Sequence, residues 1–368
     1  MSKSRAPVQR QRLKNLLRRL IDIYSPSGKE EELLDYLHGT LKRHGLPLEV
    51  QDVDDNRYNL VIHPPDGEIR LILIGHVDTV MAYDLDQYGY EEEGDLIYGL
   101  GAADMKGGCA AMIEAYLSVW EQGGTRPPVA LALVVGEEEE GDGARRLVKD
   151  FHPSRALIGE PTGLQPCLGS YSYIEVQVTT RGKRVHASLA NQSQNPIDMM
   201  LRLLLKITHY LETERPEIVY NVRELSSSRS GFAVPEHCEA WLDLHLSPMA
   251  PLGEITMELE DLVLKEREGN AGFNGTLRFA TIHAGYQLPE KGPLVETLKT
   301  VFDRHTLPWK PEAFRSHSDA NLLWAAGVKP ILLGPGHLEE AHTRDESVSF
   351  KEVLLAAQLY FDLMNSFK

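Results

Sequence analysis

Residues 99–108, Gly-Leu-Gly-Ala-Ala-Asp-Met-Lys-Gly-Gly, decide how the rest of the chain reads. The glycines supply a loop that can fold tightly, and behind it a run of small and apolar residues extends from Cys109 to Trp120. The pattern predicts a helix over 105–121 with Asp104 at its mouth. One acid in that position would ordinarily cap the helix and do nothing more. Its companions change the reading: Gly75-His76-Val77-Asp78 upstream, Glu137 to Glu140 and Glu160 downstream, and His342 far along the chain. Most of them stand where a strand-like run stops. A metal centre is the arrangement that uses them together.

Outward from this stretch, apolar runs and helical periods alternate. Leu71–Ile74, Val129–Val135 and Ala156–Gly159 are short apolar runs of the kind found in strands covered on both faces. Two further strands precede them, near Leu48–Val53 and Asn59–His63, and a helix is expected around Ala144–Lys149. Leu13, Leu16, Leu17, Leu20 and Ile21 recur at helical spacing, and Ser27 is positioned to cap a second helix running to Leu41. The alternation predicts an α/β domain with a largely parallel sheet.

Near residue 171 the texture changes. Tyr173, Glu175, Gln177 and Thr179 alternate with Ile174, Val176, Val178 and Thr180, the mark of a half-exposed strand. Helices Ile197–Leu211 and Ile255–Arg267 and strands Glu239–Leu246 and Thr276–His283 follow, with a polar stretch at Ser226–Gly231. From Pro293 the α/β alternation resumes through helix Leu294–His305, a helix around Asp319–Ala326, strand Ile331–Gly334 and helix Lys351–Phe367. The expected organisation is one α/β domain, residues 1–171 plus 284–368, interrupted by a smaller α+β domain at 172–283.

Composition bounds the partners. The chain has 368 residues, 42% hydrophobic and 25% charged, the profile of a globular protein with ample core. A net charge of −16 argues against a nucleic-acid surface, which would need a basic face. Three scattered cysteines, Cys109, Cys167 and Cys238, form no disulfide framework and suit a reducing, cytoplasmic compartment. No apolar run is long enough to span a membrane, and the basic N-terminus lacks the apolar core of a signal peptide.

Open α/β sheets place their sites beyond the carboxyl ends of strands. His76 and Asp78 directly follow the strand 71–75, and their i, i+2 spacing puts both on one side. His76 is then free to bind a metal through one ring nitrogen while Asp78 accepts from the other. A polar loop pair is the plain alternative. Glu137-Glu138-Glu139-Glu140 begins where Leu131–Gly136 stops, so some of these acids lie against the core, where an unpaired carboxylate is costly and a divalent cation relieves the cost. Glu160 has the same relation to Ala156–Gly159.

These segments, with Gly159-Glu160-Pro161 and Ala341-His342, resemble the M20 family of dinuclear zinc amidohydrolases, which includes acetylornithine deacetylase, succinyl-diaminopimelate desuccinylase, aminoacylase and carboxypeptidase G-like enzymes. The resemblance covers nearly the whole chain. It implies that Asp104 bridges two divalent metal ions, Zn2+ with Co2+ or Mn2+ as alternatives, with His76 and Glu160 completing one site and Glu139 and His342 the other. It further implies Glu138 as general base, Asp78 as the residue orienting His76, and His186 as the oxyanion-stabilising histidine. A slip of one residue along the glutamate run would make Glu137 the base and Glu138 the ligand. The inserted domain would be a lid and dimerisation domain, giving a homodimer.

The insert departs from the family where relatives hold the substrate carboxylate: Phe232 and His245 replace an asparagine and an arginine. Arg223 or Arg229 is the candidate replacement cation, and Gly334 and Gly336 are candidate N–H donors, although a tight turn explains that glycine pair equally well. Ser318-Asp319 matches another family motif, with a helix cap as its plain alternative. The expected function is hydrolysis of an amide in a small N-acyl amino acid, in the manner of acetylornithine deacetylase. A dipeptidase or carboxypeptidase, or a deacylase of carrier-linked lysine or ornithine, is the alternative within the class. A non-catalytic member that binds metal or ligand, and a structural protein with merely solvated acids, are the alternatives outside it.

Overall fold

The computed structural model describes residues 8–64, 67–123, 126–192 and 194–367. The first seven residues, part of the basic N-terminus, lie outside them. The chain forms two compact units, Met1–Gly169 with Leu288–Phe314 and Ser318–Lys368, and Ser170–Gln287 with Arg315–His317. The second unit thus takes a short piece, Arg315–His317, from a segment expected to lie wholly in the first.

The first unit is an α/β layer structure built on a mixed sheet. Its strands lie in the order Leu48–Asp52, Tyr58–Ile62, Val129–Val134, Leu71–His76, Arg155–Ile158, Lys329–Leu332 and Cys167–Ser170. The middle four run parallel, and the flanking pairings are antiparallel. Leu71–His76 and Val129–Val134 are buried at every position, as unbroken apolar runs in a doubly covered sheet should be. Because these strands point the same way, their carboxyl ends share one edge, and His76, Glu137 and Glu160 come to that edge. A small sheet of Glu91–Glu93, Leu96–Tyr98 and Ser347–Ser349 was not anticipated; its strands are too short to show a period.

The helix Gly107–Gln122 is buried on nearly all sides between this sheet and the C-terminal helix Phe350–Ser366. Small residues let it come close. A side chain at Gly75 would meet Cys109 Sγ at 2.6 Å, and one at Gly108 would run into the Gly159 carbonyl oxygen. This close approach sets the depth at which the loop before the helix, with Asp104, meets the strand ends.

The second unit is a four-stranded antiparallel sheet in the order Val219–Ser227, His237–Leu246, Ser172–Arg181 and Gly275–His283. Helices Pro196–Glu214 and Leu252–Gly269 cover the face carrying Ile174, Val176 and Val178. The strand Val219–Ser227 was missed. It is an edge strand exposed along most of its length, so neither face carries a continuous apolar signal.

Gly108→Ala is expected to destabilise the protein by about 1–3 kcal/mol, because the added methyl forces helix and strand apart. A fall in thermal midpoint relative to an alanine substitution at the exposed, unconfined Gly269 checks this.

Candidate metal centre

The strand Leu71–His76 ends on an imidazole that is 1% exposed. His76 Nδ1 lies 3.1 Å from the main-chain oxygen of Asp78 and 3.6 Å from its Oδ1. Its nearest acceptor is therefore the backbone carbonyl, not the carboxylate expected from the i, i+2 spacing. That leaves Nε2 facing Asp104 Oδ1 at 3.2 Å. The Asp78 carboxylate is used to join turns. It accepts from Ser27 Oγ at 2.7 Å, from Glu137 N at 3.2 Å and from Glu138 N at 3.0 Å. Ser27 is thus no helix cap: the second helix begins at Glu31, with Glu30 at its N-cap position.

Asp104 does not cap its helix either. The helix proper starts at Gly107, and Asp104 has an extended backbone (φ −119°, ψ 97°) within the turn before it. Gly101, at φ 78°, makes the turn possible. The turn is held by Glu346, whose carboxylate accepts from Gly101 N at 3.0 Å, Ala103 N at 2.9 Å and Asp104 N at 3.0 Å. So placed, the two oxygens of Asp104 face different histidines, Oδ1 toward His76 and Oδ2 toward His342 Nε2 at 3.6 Å.

The glutamate run lies between Gly136 and Gly141, both at positive φ (73° and 65°). Glu138 reaches His342, with Oε2 2.9 Å from Nε2. Glu137 Oε2 is 3.9 Å from His76 Nε2. Glu139 is exposed and outside the cluster, so Glu138 stands where Glu139 was expected and Glu137 where Glu138 was. The tight turn after Gly136 presents the first two acids of the run inward and leaves the next two in solvent. Arg57, ion-paired to Asp142 and Asp54 at 2.6 Å each, holds the far side of the turn.

Glu160, 2% exposed, has Oε2 4.0 Å from His76 Nε2 and an Oε1 without a hydrogen-bond partner among the described residues. Burial drives the Glu137 and Glu160 carboxyls well above their ordinary range, and the neighbouring carboxylates add to it. Burial works against charge on His76 and His342 as well. The surrounding acids overcome it, raising His76 well above its ordinary value and His342 to about 9. Asp104, despite its burial, is held low by those two imidazoles. The cluster is therefore short of positive charge. Three sets of its atoms lie close enough to hold an ion: His76, Asp104 and Glu160; His76, Glu137 and Glu138; Asp104, Glu138 and His342. Mixed nitrogen and oxygen donors, one of them an orphaned buried carboxylate oxygen, fit divalent cations.

The remaining sequence candidates lie elsewhere or are already occupied. Arg223 is held by Asp243 at 3.0 Å and Glu175 at 2.6 Å, so it is no free cation. Arg229 is exposed on the segment after the edge strand. The N–H of Gly334 donates to Thr162 Oγ1 and that of Gly336 to Glu352 Oε2, each at 3.1 Å, which removes both as donors to a substrate. His186 is exposed in the second unit, with Nδ1 2.8 Å from Ser188 Oγ. Ser318 does cap its helix, through a capping box, while Asp319 beside it is buried with its carboxyl pushed up to about 7 by burial. Sequence reasoning missed Glu346 altogether. It lies in a polar segment after His342 with no periodic or motif signal, and only tertiary folding brings it under the loop 101–104.

Clustered carboxylates and imidazoles at the carboxyl edge of a parallel sheet define the class as metal-dependent hydrolase. Residues 72–366 match peptidase family M20/M25/M40, and the chain belongs to that family of metal-dependent amidohydrolases. It is 28% identical over 357 residues to the acetylornithine deacetylase of Edwardsiella ictaluri, covering 92% of this chain and 91% of that one. It is 27% identical over 390 residues to that of Salmonella typhimurium, covering 96% and 99%. Among solved structures it resembles a Staphylococcus aureus tripeptidase (TM-score 0.80, 19% identity, 98% and 99% covered). It also resembles a dinuclear metal-binding M20 peptidase of Bacillus subtilis (TM-score 0.67, 13% identity, 96% and 97% covered). No described helix is long and apolar enough to cross a membrane.

The charge shortage predicts a pH dependence. Burial raises Glu346, Asp319 and Glu30 to about 7, from ordinary values of 4.5, 3.8 and 4.5. A raised group keeps a proton that the unfolded chain gives up. Its stabilisation is complete below the unfolded value and lost as pH rises through the folded one. His342, raised from 6.5 to about 9, continues the loss at higher pH, whereas Asp78 and Asp104, held low, act oppositely in acid. His317, lowered from 6.5 to about 3, and Lys106, lowered from 10.5 to about 7, offset part of the loss over their own ranges. The thermal midpoint of chelator-stripped protein is expected to fall between about pH 5 and pH 8, with a shallower fall when divalent metal is present. A midpoint that rises over that range in the stripped protein contradicts the electrostatics.

Proposed function

We propose that the chain hydrolyses the amide bond of a small N-acyl amino acid, the reaction type named by its acetylornithine deacetylase relatives, using two divalent cations bound at the strand ends. The observation that carries this reading is Asp104, whose two oxygens face separate histidines, so that a single carboxylate serves both His76–Asp104–Glu160 and Asp104–Glu138–His342. Zinc suits these donors, with cobalt or manganese as alternatives. Bound there, the cations supply Lewis-acid polarisation of the scissile carbonyl and of the attacking water.

The chain's own residues do the proton transfer. Glu138 is taken up by His342, which leaves Glu137 as the inward carboxylate able to act as base. Glu137 takes a proton from water as the water oxygen bonds to the carbonyl carbon. It returns that proton to the nitrogen as the C–N bond breaks. Asp78 keeps both glutamates in place through their backbone N–H groups. His186 is the proposed donor to the oxyanion, and a homodimer through the second unit the proposed assembly. With Arg223 held by two acids, Arg229 is the remaining proposed cation for a substrate carboxylate. The three buried free cysteines suit the proposed cytoplasmic location.

Glu137→Gln is expected to keep its metal and lose roughly 10²–10⁴-fold in turnover, whereas Glu139→Gln stays near wild type. Metal analysis and kcat on N-acetylornithine, N-succinyl-diaminopimelate and dipeptides, with added zinc or cobalt, check both residue and substrate class. Turnover confined to dipeptides would favour the peptidase reading. Loss of activity in Glu139→Gln but not Glu137→Gln would restore the original register.

A further inference from the structure

The amino ends of the same parallel strands carry a second feature, remote from the carboxylates. A cavity of about 160 Å3 is walled by apolar side chains, among them Leu288, Leu294, Val295, Trp324 and Ile331. Arg155, Lys291 and Lys329 also line it, and among the described residues no carboxylate does. In a chain of 54 acids and 38 lysines and arginines, a cavity bordered by three cations and no acid runs against the background. Among the described residues none of the three is ion-paired, and the Arg155 guanidinium donates to Ser154 Oγ at 2.9 Å. The acid next to Lys291, Glu290, is engaged elsewhere, with Lys299 at 3.1 Å and Trp309 Nε1 at 2.8 Å.

The fold builds this arrangement. Lys329 and Arg155 are register partners in the parallel ladder, so two cations stand side by side where adjacent strands begin. The strand Arg155–Ile158 runs from this cavity toward Glu160, which puts the cavity and the metal ligands at opposite ends of one strand.

We propose that this cavity is a binding site for a small free carboxylate bearing an apolar group, a branched aliphatic chain or a single aromatic ring. An enclosed apolar cavity of about 150 Å3 accommodates a benzene-sized ring, and this cleft, open on one side, is of comparable size. The cations complement the carboxylate, and the apolar wall takes the hydrocarbon. A phosphate, having no hydrocarbon, would leave that wall unused, and a cationic ligand would meet three like charges. The site is independent of the amide-hydrolysis reading, since none of its residues belongs to the carboxylate cluster.

The test uses the full-length, metal-loaded protein titrated calorimetrically with phenylacetate, phenylacetamide and inorganic phosphate. Saturable phenylacetate binding in the micromolar-to-millimolar range is expected, with phenylacetamide at least about tenfold weaker and phosphate not competing. A double variant, Arg155→Gln with Lys329→Gln, should weaken phenylacetate by at least about tenfold while keeping wild-type turnover and thermal midpoint. Equal affinity for phenylacetamide overturns the proposal. So does undiminished phenylacetate binding in the folded double variant, which would place the carboxylate at the metal centre instead. Absence of saturable binding up to about 10 mM also overturns it. If the double variant fails to fold, Lys291→Gln, at an exposed loop residue, takes its place with the same criteria.

Discussion

Four carboxylates, Asp104, Glu137, Glu138 and Glu160, are held mostly out of water around two imidazoles, and this charge imbalance is the constraint on which the rest of the first unit turns. Such groups are costly to bury without compensation. Burial drives the Glu137 and Glu160 carboxyls up, and the surrounding acids raise both histidines. Divalent cations would supply the charge more completely, a need that metal-dependent hydrolysis in this family answers.

Holding the acids in this position takes more residues than bind metal. Asp78 connects the end of the strand Leu71–His76 to the turn after Val129–Val134, and Glu346 anchors the loop that carries Asp104. Arg57 braces the glutamate turn through Asp142. Gly75 and Gly108 let the helix behind Asp104 settle against the sheet. Each of these contacts spans a long stretch of sequence, and their common effect is to limit how far the ligand side chains can move apart.

The second unit is organised by different physics. Its apolar face packs beneath two helices, while its other face carries a polar and aromatic group centred on Tyr173. The Tyr173 hydroxyl donates to Asp243 at 2.8 Å, and its ring stacks on His317 at 4.0 Å. His245 belongs to this group, and burial lowers its pKa. Arg223 pairs with both Asp243 and Glu175, so one guanidinium serves two carboxylates of the same sheet.

The sequence alone determined the α/β alternation, the interruption by a second unit, and the placing of His76 and Glu160 at one edge, because apolar runs specify buried parallel strands and such strands put their ends together. Asp104 and His342, on a turn and a loop, joined them only through the family resemblance. It did not determine which glutamates of 137–140 face inward. Four identical residues carry no phase, and the turn between Gly136 and Gly141 with the Asp78 carboxylate beneath it selects Glu137 and Glu138. Nor did it assign Ser27 to Asp78, occupy the N–H groups of Gly334 and Gly336, or bring Glu346 under Asp104. Those outcomes rest on hydrogen bonds between residues far apart in the chain, and a local pattern carries no record of a partner that only folding brings near.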